Sequence, residues 1–153
     1  MALKEGDPAP EIQLETDGGE KFNLSSLRGK DVVLYFYPKA ATPGCTTESC
    51  EFRDAAKKFG RKDTVIIGVS PDPAKAQTSF KKKYQLPFPL LCDVDHAAAR
   101  AYGVWKQKSL YGKKYMGIER TTFLIAKDGR IRKIFKKVKP EGHAGEVLAV
   151  LES

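Results

Sequence analysis

Two short segments rich in apolar and β-branched residues constrain the fold of this chain most. Residues 32–37 and 64–69 have the composition of strands that are buried on both faces, as in a parallel sheet. A segment with helical periodicity follows each of them. In residues 42–60, for example, Phe52, Ala55 and Phe59 recur at the spacing of one apolar helix face. Strands and helices in alternation predict an α/β fold around a central sheet.

The other segments predict the rest of this fold. Residues 11–24 form an N-terminal β-hairpin around the turn at residues 17–19, and residues 25–29 form a short helical turn. Helices are predicted at 73–84, 96–102 and 142–151, and strands at 88–92, 120–126 and 131–138. We therefore predict one domain over residues 1–153. It is a three-layer α/β fold in which helices flank a mixed β-sheet.

Length and hydropathy limit the class of protein. A chain of 153 residues, 41% of them hydrophobic, is sufficient for one core. The longest apolar run has six residues, so we expect no transmembrane helix. The first residues lack the apolar stretch of a secretory signal. We expect a cytoplasmic protein, unless a targeting peptide has been removed.

Positive charge is concentrated in the C-terminal half. The net charge is +8, and residues 100–139 carry 13 basic side chains against Glu119 and Asp128. A basic patch attracts nucleic acid or anionic surfaces. Most of these lysines alternate with apolar residues on predicted strands, however, and no recognition motif accompanies them. We therefore expect a solvated surface, with no specific nucleic-acid partner and no membrane partner.

Cysteine and histidine usage excludes two kinds of site. The three cysteines are Cys45, Cys50 and Cys92, and an odd number in a chain without a signal argues against a disulfide scaffold. His96 and His143 have no metal-binding spacing with them, so we predict no metal. Each cysteine is then a buried thiol or a reactive one.

Cys45 occupies a position that favours reactivity. It follows a buried strand and lies in the first turn of a predicted helix, with Thr42 as N-cap and Pro43 as first helical residue. A helix N-terminus favours the thiolate, which is the nucleophilic form of cysteine. The Thr42 hydroxyl caps the helix, points at the sulfur or its substrate, or does both. Pro38 ends the strand, shields the sulfur from water, or does both.

Cys50 lies five residues after Cys45 on the same predicted helix. Helix geometry places their Cα atoms roughly 8.6 Å apart. A disulfide requires less than about 7 Å. The two cysteines therefore pair only if the first helical turns unwind, and otherwise Cys50 is a spare thiol.

The residues around Cys45 resemble the peroxiredoxin active-site motif. Pro38, Thr42 and Cys45 stand at the spacing of that motif. The strings YFYPK, TPGCT and CEFRD are similar to the peroxiredoxin Q branch, also called bacterioferritin comigratory protein. The similarity extends over the whole chain, from GDPAP near the start to GHA before the last helix.

This resemblance implies a thioredoxin-like fold and a thiol peroxidase for hydrogen peroxide and organic hydroperoxides, serving antioxidant defence without metal or organic cofactor. By position, Cys45 is the peroxidatic cysteine, Cys50 the resolving cysteine and Arg120 the active-site arginine, while Thr42 and Pro38 complete the site. It further implies an intramolecular disulfide that thioredoxin or a related dithiol protein reduces, in a monomeric enzyme.

The chain departs from the family at a few positions. Ala40 and Ala41 stand where members often have acidic residues, and Cys92 stands where serine is common. Cys92 is either an inert core thiol, which we expect, or a second resolving partner. A thiol–disulfide oxidoreductase is the alternative enzyme class, but the chain lacks its C-x-x-C motif.

Overall fold

The computed structural model describes residues 3–153, so Met1 and Ala2 of the predicted domain lie outside it. The strands are β1 (Gln13–Thr16), β2 (Lys21–Asn23), β3 (Asp31–Phe36), β4 (Thr64–Ser70), β5 (Leu90–Cys92), β6 (Trp105–Leu110), β7 (Lys113–Ile118), β8 (Thr121–Ile125) and β9 (Ile131–Phe135). The α-helices are α1 (Pro43–Arg61), α2 (Ala74–Tyr84), α3 (Ala97–Ala101) and α4 (His143–Glu152), and Leu24–Leu27 form a 3-10 turn. Within residues 3–153, every helix is too short or too polar to cross a membrane.

Seven strands form one mixed sheet in the order β2-β1-β5-β4-β3-β8-β9. The central strands β3, β4 and β5 are parallel to one another, whereas β8 runs antiparallel beside β3. The hairpin β1–β2 extends one edge through β5, and the hairpin β8–β9 forms the other edge. The sheet confirms the predicted mixed α/β arrangement with an N-terminal hairpin.

Side chains of β3 alternate between the two cores that flank the sheet. Tyr35 packs in the core formed with Phe52 and Phe59 of α1. Leu34 packs in the opposite core, which contains Tyr102. Packing on both faces fixes the position of β3, and with it the point beyond its carboxyl end where α1 begins.

The predicted helices and strands are confirmed with boundary shifts of at most three residues, the largest at β9, which ends at Phe135 instead of residue 138. The hairpin β6–β7 is missing from the predicted elements. It forms a separate two-stranded sheet, and most of its side chains are exposed. A strand pair with both faces exposed to water lacks the alternation of apolar and polar residues by which strands are recognised in a sequence.

Candidate active site

Cys45 lies in the first turn of α1, just beyond the carboxyl end of β3. Thr42 occupies the N-cap position and Pro43 the first helical position, as predicted. The Cys45 side chain is fully buried.

The sheet topology brings Arg120 to this sulfur. Because β8 is antiparallel to β3, with Thr121 opposite Phe36, Arg120 lies at the carboxyl end of β3. Its Nη2 donates to Cys45 Sγ at 3.4 Å, and its Nη1 donates to Glu48 Oε1 at 2.7 Å. The guanidinium thus faces the sulfur with positive charge, which stabilises a thiolate there.

Gly44 permits this close approach. An ideal Cβ at Gly44 would lie 3.1 Å from Arg120 Nη2 and 3.4 Å from Pro140 Cγ. A side chain at this position would displace the guanidinium or the proline. Gly44, inside the TPGCT string, is therefore part of the geometry of the site.

Glu48 is a site residue that the motif comparison missed. Its side chain is buried, and among residues 3–153 its Oε2 has no hydrogen-bond partner. Burial raises the pKa of Glu48 to about 7, although the Arg120 charge acts in the opposite direction. The helical spacing could have indicated Glu48 from the sequence, because a residue three positions after Cys45 lies on the same face of the helix.

Glu48→Gln is expected to remove a pH dependence of stability. The folded chain binds a proton at Glu48 more tightly than the unfolded chain, so this group lowers stability as pH rises from about 4.5 to about 7. The resulting change in the free energy of unfolding is on the order of 3 kcal/mol. Urea unfolding at pH 5 and pH 8 measures it. Between pH 5 and pH 8, the variant should gain stability relative to the natural chain. A relative gain for the natural chain over the same range would contradict the raised pKa of Glu48.

The loop before α1 corrects one prediction about Thr42. Its hydroxyl donates to the Lys39 carbonyl at 2.8 Å, and among the described residues it accepts no hydrogen bond from a helix N–H, so the predicted hydroxyl cap is wrong. The loop turns tightly before α1, which brings the Lys39 carbonyl within hydrogen-bonding distance of the Thr42 hydroxyl. Asp72, which follows β4, also contacts this loop: its Oδ2 accepts a hydrogen bond from the Ala40 N–H at 2.7 Å. Ala41 adopts a left-handed φ of +65°, which aspartate or asparagine tolerates better.

The remaining site residues lie near this loop or farther along the chain. Pro38 is half-buried two residues after β3, and its shielding of the sulfur stays a prediction. Cys50 is a half-buried free thiol on the continuous helix α1. Burial and the nearby carboxylates of Asp17 and Glu15 raise the pKa of Cys92 to about 11, so this thiol is protonated at neutral pH.

The site combines a cysteine sulfur, a helix N-terminus and a cation within hydrogen-bonding distance of that sulfur. Such groups stabilise negative charge that develops during attack on a substrate. Within residues 3–153, no group of three or more His, Cys, Asp and Glu side chains is placed to hold a metal ion.

Residues 5–134 match the model of the AhpC/TSA family. The chain is 52% identical over 152 residues to Peroxiredoxin Bcp of Bacillus subtilis, covering 99% of this chain and 97% of that protein. It is 42% identical to Peroxiredoxin Bcp of Escherichia coli K12, covering 95% and 94%.

Solved structures are similar over the same length. A cysteine-to-serine mutant of PrxQ from Xylella fastidiosa has a TM-score of 0.94 at 37% identity, covering 99% of this chain and 97% of that one. Xanthomonas campestris bacterioferritin comigratory protein, studied for alkyl peroxide reduction, has a TM-score of 0.88 at 42% identity, covering 92% and 90%. These similarities confirm the predicted thioredoxin-like fold.

Proposed function

The chain belongs to the AhpC/TSA family and to its peroxiredoxin Q branch, and from this membership we propose that Cys45 reduces hydroperoxides and that Cys50 resolves the product. Membership makes the chain a peroxiredoxin, a peroxide-reducing protein. The observation that carries the residue assignment is the Arg120 guanidinium, 3.4 Å from Cys45 Sγ at the N-terminus of α1.

In the first step, the Cys45 thiolate attacks one oxygen of the peroxide and the O–O bond breaks. The sulfur is oxidised to a sulfenic acid, and the leaving oxygen takes a proton to become water or an alcohol. Arg120 and the free N–H groups of the first turn of α1 face the charge that develops on this oxygen. Thr42 and Pro38 hold the loop from which that turn starts.

In the second step, the Cys50 thiol attacks the oxidised Cys45 sulfur. An S–S bond forms, and the hydroxyl leaves as water with the thiol proton. Five helical residues separate the two Cα atoms by roughly 8.6 Å. The step therefore requires residues 43–50 of α1 to unwind, because a disulfide needs less than about 7 Å.

The packing of α1 favours unwinding in this segment. Apart from Cys45, its buried side chains are the polar Glu48 and Ser49, whereas the apolar anchor of the helix begins at Phe52. Unwinding breaks the Arg120–Glu48 ion pair and the 2.8 Å hydrogen bond between the Ser49 and Tyr35 hydroxyls. It leaves the packing of Phe52 and the later helix turns in place.

A dithiol protein of the thioredoxin class closes the cycle in this proposal. Thiol–disulfide exchange returns both cysteines to thiols and oxidises the reductant. Such recycling needs a reducing compartment, which is why we assign the protein to the cytoplasm. One chain supplies both cysteines, so the cycle is complete in a monomer.

Cys50→Ser is expected to retain one rapid equivalent of peroxide reduction and to lose turnover with a dithiol reductant by at least about tenfold. The serine leaves Cys45 and Arg120 intact but removes the thiol that forms the disulfide. Stopped-flow measurement of peroxide consumption separates the two. Enzyme in excess gives the first equivalent of reduction, and substrate in excess gives the rate of turnover.

Cys92→Ser is the matched control, because Cys92 is also a half-buried free thiol. We expect full turnover from it. Loss of turnover in Cys92→Ser but not in Cys50→Ser would transfer the resolving role to Cys92. Insulin reduction faster than peroxide reduction would indicate a thiol–disulfide oxidoreductase.

A further inference from the structure

The hairpin β6–β7 ends in an unusual turn. Leu110 pairs with Lys113, so the loop consists of Tyr111 and Gly112. Both have positive φ, +52° and +80°, as in a type I′ turn. Asparagine, aspartate or glycine is the usual first residue of this turn, and a bulky side chain at positive φ is disfavoured. Tyr111 is nevertheless 97% exposed, so no packing against residues 3–153 explains it.

Other apolar side chains are exposed beside Tyr111. Leu110 is 56%, Tyr115 47% and Met116 49% exposed. With Tyr111 they are four of the five large apolar side chains that are exposed in residues 3–153. Among residues 3–153, the exposed large apolar side chains are therefore concentrated on this hairpin.

The same hairpin is strongly cationic. Residues 105–118 contain four lysines and no acidic residue. Lys106 pairs with Glu119 at the base of the hairpin, whereas Lys113 and Lys114 are exposed at its tip. The pairing of Lys108 with Tyr115 and of Leu110 with Lys113 places cationic and apolar side chains on one face.

We propose that the β6–β7 hairpin docks this protein on an anionic lipid surface, with Leu110 and Tyr111 in the interfacial layer and Lys113 and Lys114 on the headgroups. Lysines near an anionic leaflet and tyrosine at the lipid interface are the groups that such a surface attracts. A narrow projecting tip fits this layer better than it fits a protein, since a stable protein interface covers about 800 Å² on each partner.

This inference revises the expectation of no membrane partner, which rested on sequence patterns that did not reveal the hairpin. Association with an interface needs no transmembrane segment. The binding itself goes beyond the proposed function and does not depend on it.

A consequence for catalysis does rest on the proposed function. Glu119 and Arg120 directly follow β7, so the hairpin leads into the active site. Lys108 lies on the hairpin face described above, and burial together with the nearby Arg120 charge lowers its pKa. Docking by the tip would therefore hold the active site about one hairpin length, roughly 20 Å, from the lipid surface that carries lipid hydroperoxides.

Vesicle co-sedimentation of the full chain tests the binding. At 0.1 M NaCl we expect binding to vesicles of equal phosphatidylglycerol and phosphatidylcholine to be at least about tenfold stronger than to phosphatidylcholine alone, and to disappear at 0.5 M NaCl. Tyr111→Asn, which the turn prefers, should weaken binding about fivefold while the hairpin stays folded. The pair Lys113→Gln and Lys114→Gln should weaken it about twentyfold.

The pair Lys82→Gln and Lys83→Gln on α2 is the control, because it removes the same charge from another exposed site. Binding should change less than twofold. The proposal would be overturned if the two lysine pairs lost equal binding, or if Tyr111→Asn bound vesicles as well as the natural chain. Salt-sensitive binding to poly-glutamate without binding to vesicles would also overturn it. Hydrogen peroxide reduction by the same samples tests the proposed function separately, and Tyr111→Asn should leave it unchanged.

Discussion

Cys45→Ser is expected to abolish peroxide reduction, lowering kcat/KM by at least about a thousandfold. The Cys45 sulfur is the atom that the α1 N-terminus and Arg120 both face. A serine hydroxyl at the same position is a far weaker nucleophile, and Arg120, which contacts the Cys45 sulfur, is a cation that cannot take its proton. Peroxide consumption with a dithiol reductant measures the loss.

Cys92→Ser provides the control for this substitution as well. The Cys92 thiol has a pKa raised to about 11, so it contributes little thiolate at neutral pH. We expect activity within twofold of the natural chain. Retention of more than about a tenth of the activity by Cys45→Ser, with an unchanged circular dichroism spectrum, would contradict the assignment of the nucleophile.

Arg120→Met is expected to lower the rate of peroxide reduction about 100- to 1,000-fold, the usual effect of removing one donor that stabilises developing charge. Arg120 Nη2 contacts Cys45 Sγ at 3.4 Å while Nη1 binds Glu48 at 2.7 Å. Lysine has no planar fork with which to hold both partners, so Arg120→Lys should recover only part of the rate. Stopped-flow measurement of the reduced protein with peroxide gives the rate directly.

The same substitution also affects the fold. Removing Arg120 takes away the charge that favours the ionised form of the buried Glu48 carboxyl, so the fold loses stability where that carboxyl would ionise. The double variant Arg120→Met and Glu48→Gln removes that ionisable group. It should recover stability in urea unfolding but not the rate. Recovery of the rate in the double variant would show that Arg120 acts only on the fold.

The central part of the fold was predictable because its packing leaves a local signal. Residues 32–37 are apolar without interruption since β3 packs on both faces, and Phe52 and Phe59 mark the apolar face of α1. The hairpin β6–β7 left no such signal. Its side chains face water on both sides, and the exposed Tyr111 contradicts the usual turn preference.

The site was predictable in composition but not in its contacts. Cys45 at a strand-to-helix junction is visible in the sequence, whereas its contact with Arg120 depends on the antiparallel register of β8 against β3. The ion pair between Arg120 and Glu48 depends on the same register. The direction of the Thr42 hydroxyl depends on the turn at Lys39, which no sequence pattern specifies.

Mass spectrometry of the reduced chain after one equivalent of hydrogen peroxide tests the central claim most directly. No lysine or arginine lies between Ala40 and Arg53, so Cys45 and Cys50 share one tryptic peptide. The account predicts that this peptide loses two hydrogens within seconds while the Cys92 peptide stays unchanged. A crosslink between the two peptides, or no reaction at Cys45 on that timescale, would contradict it.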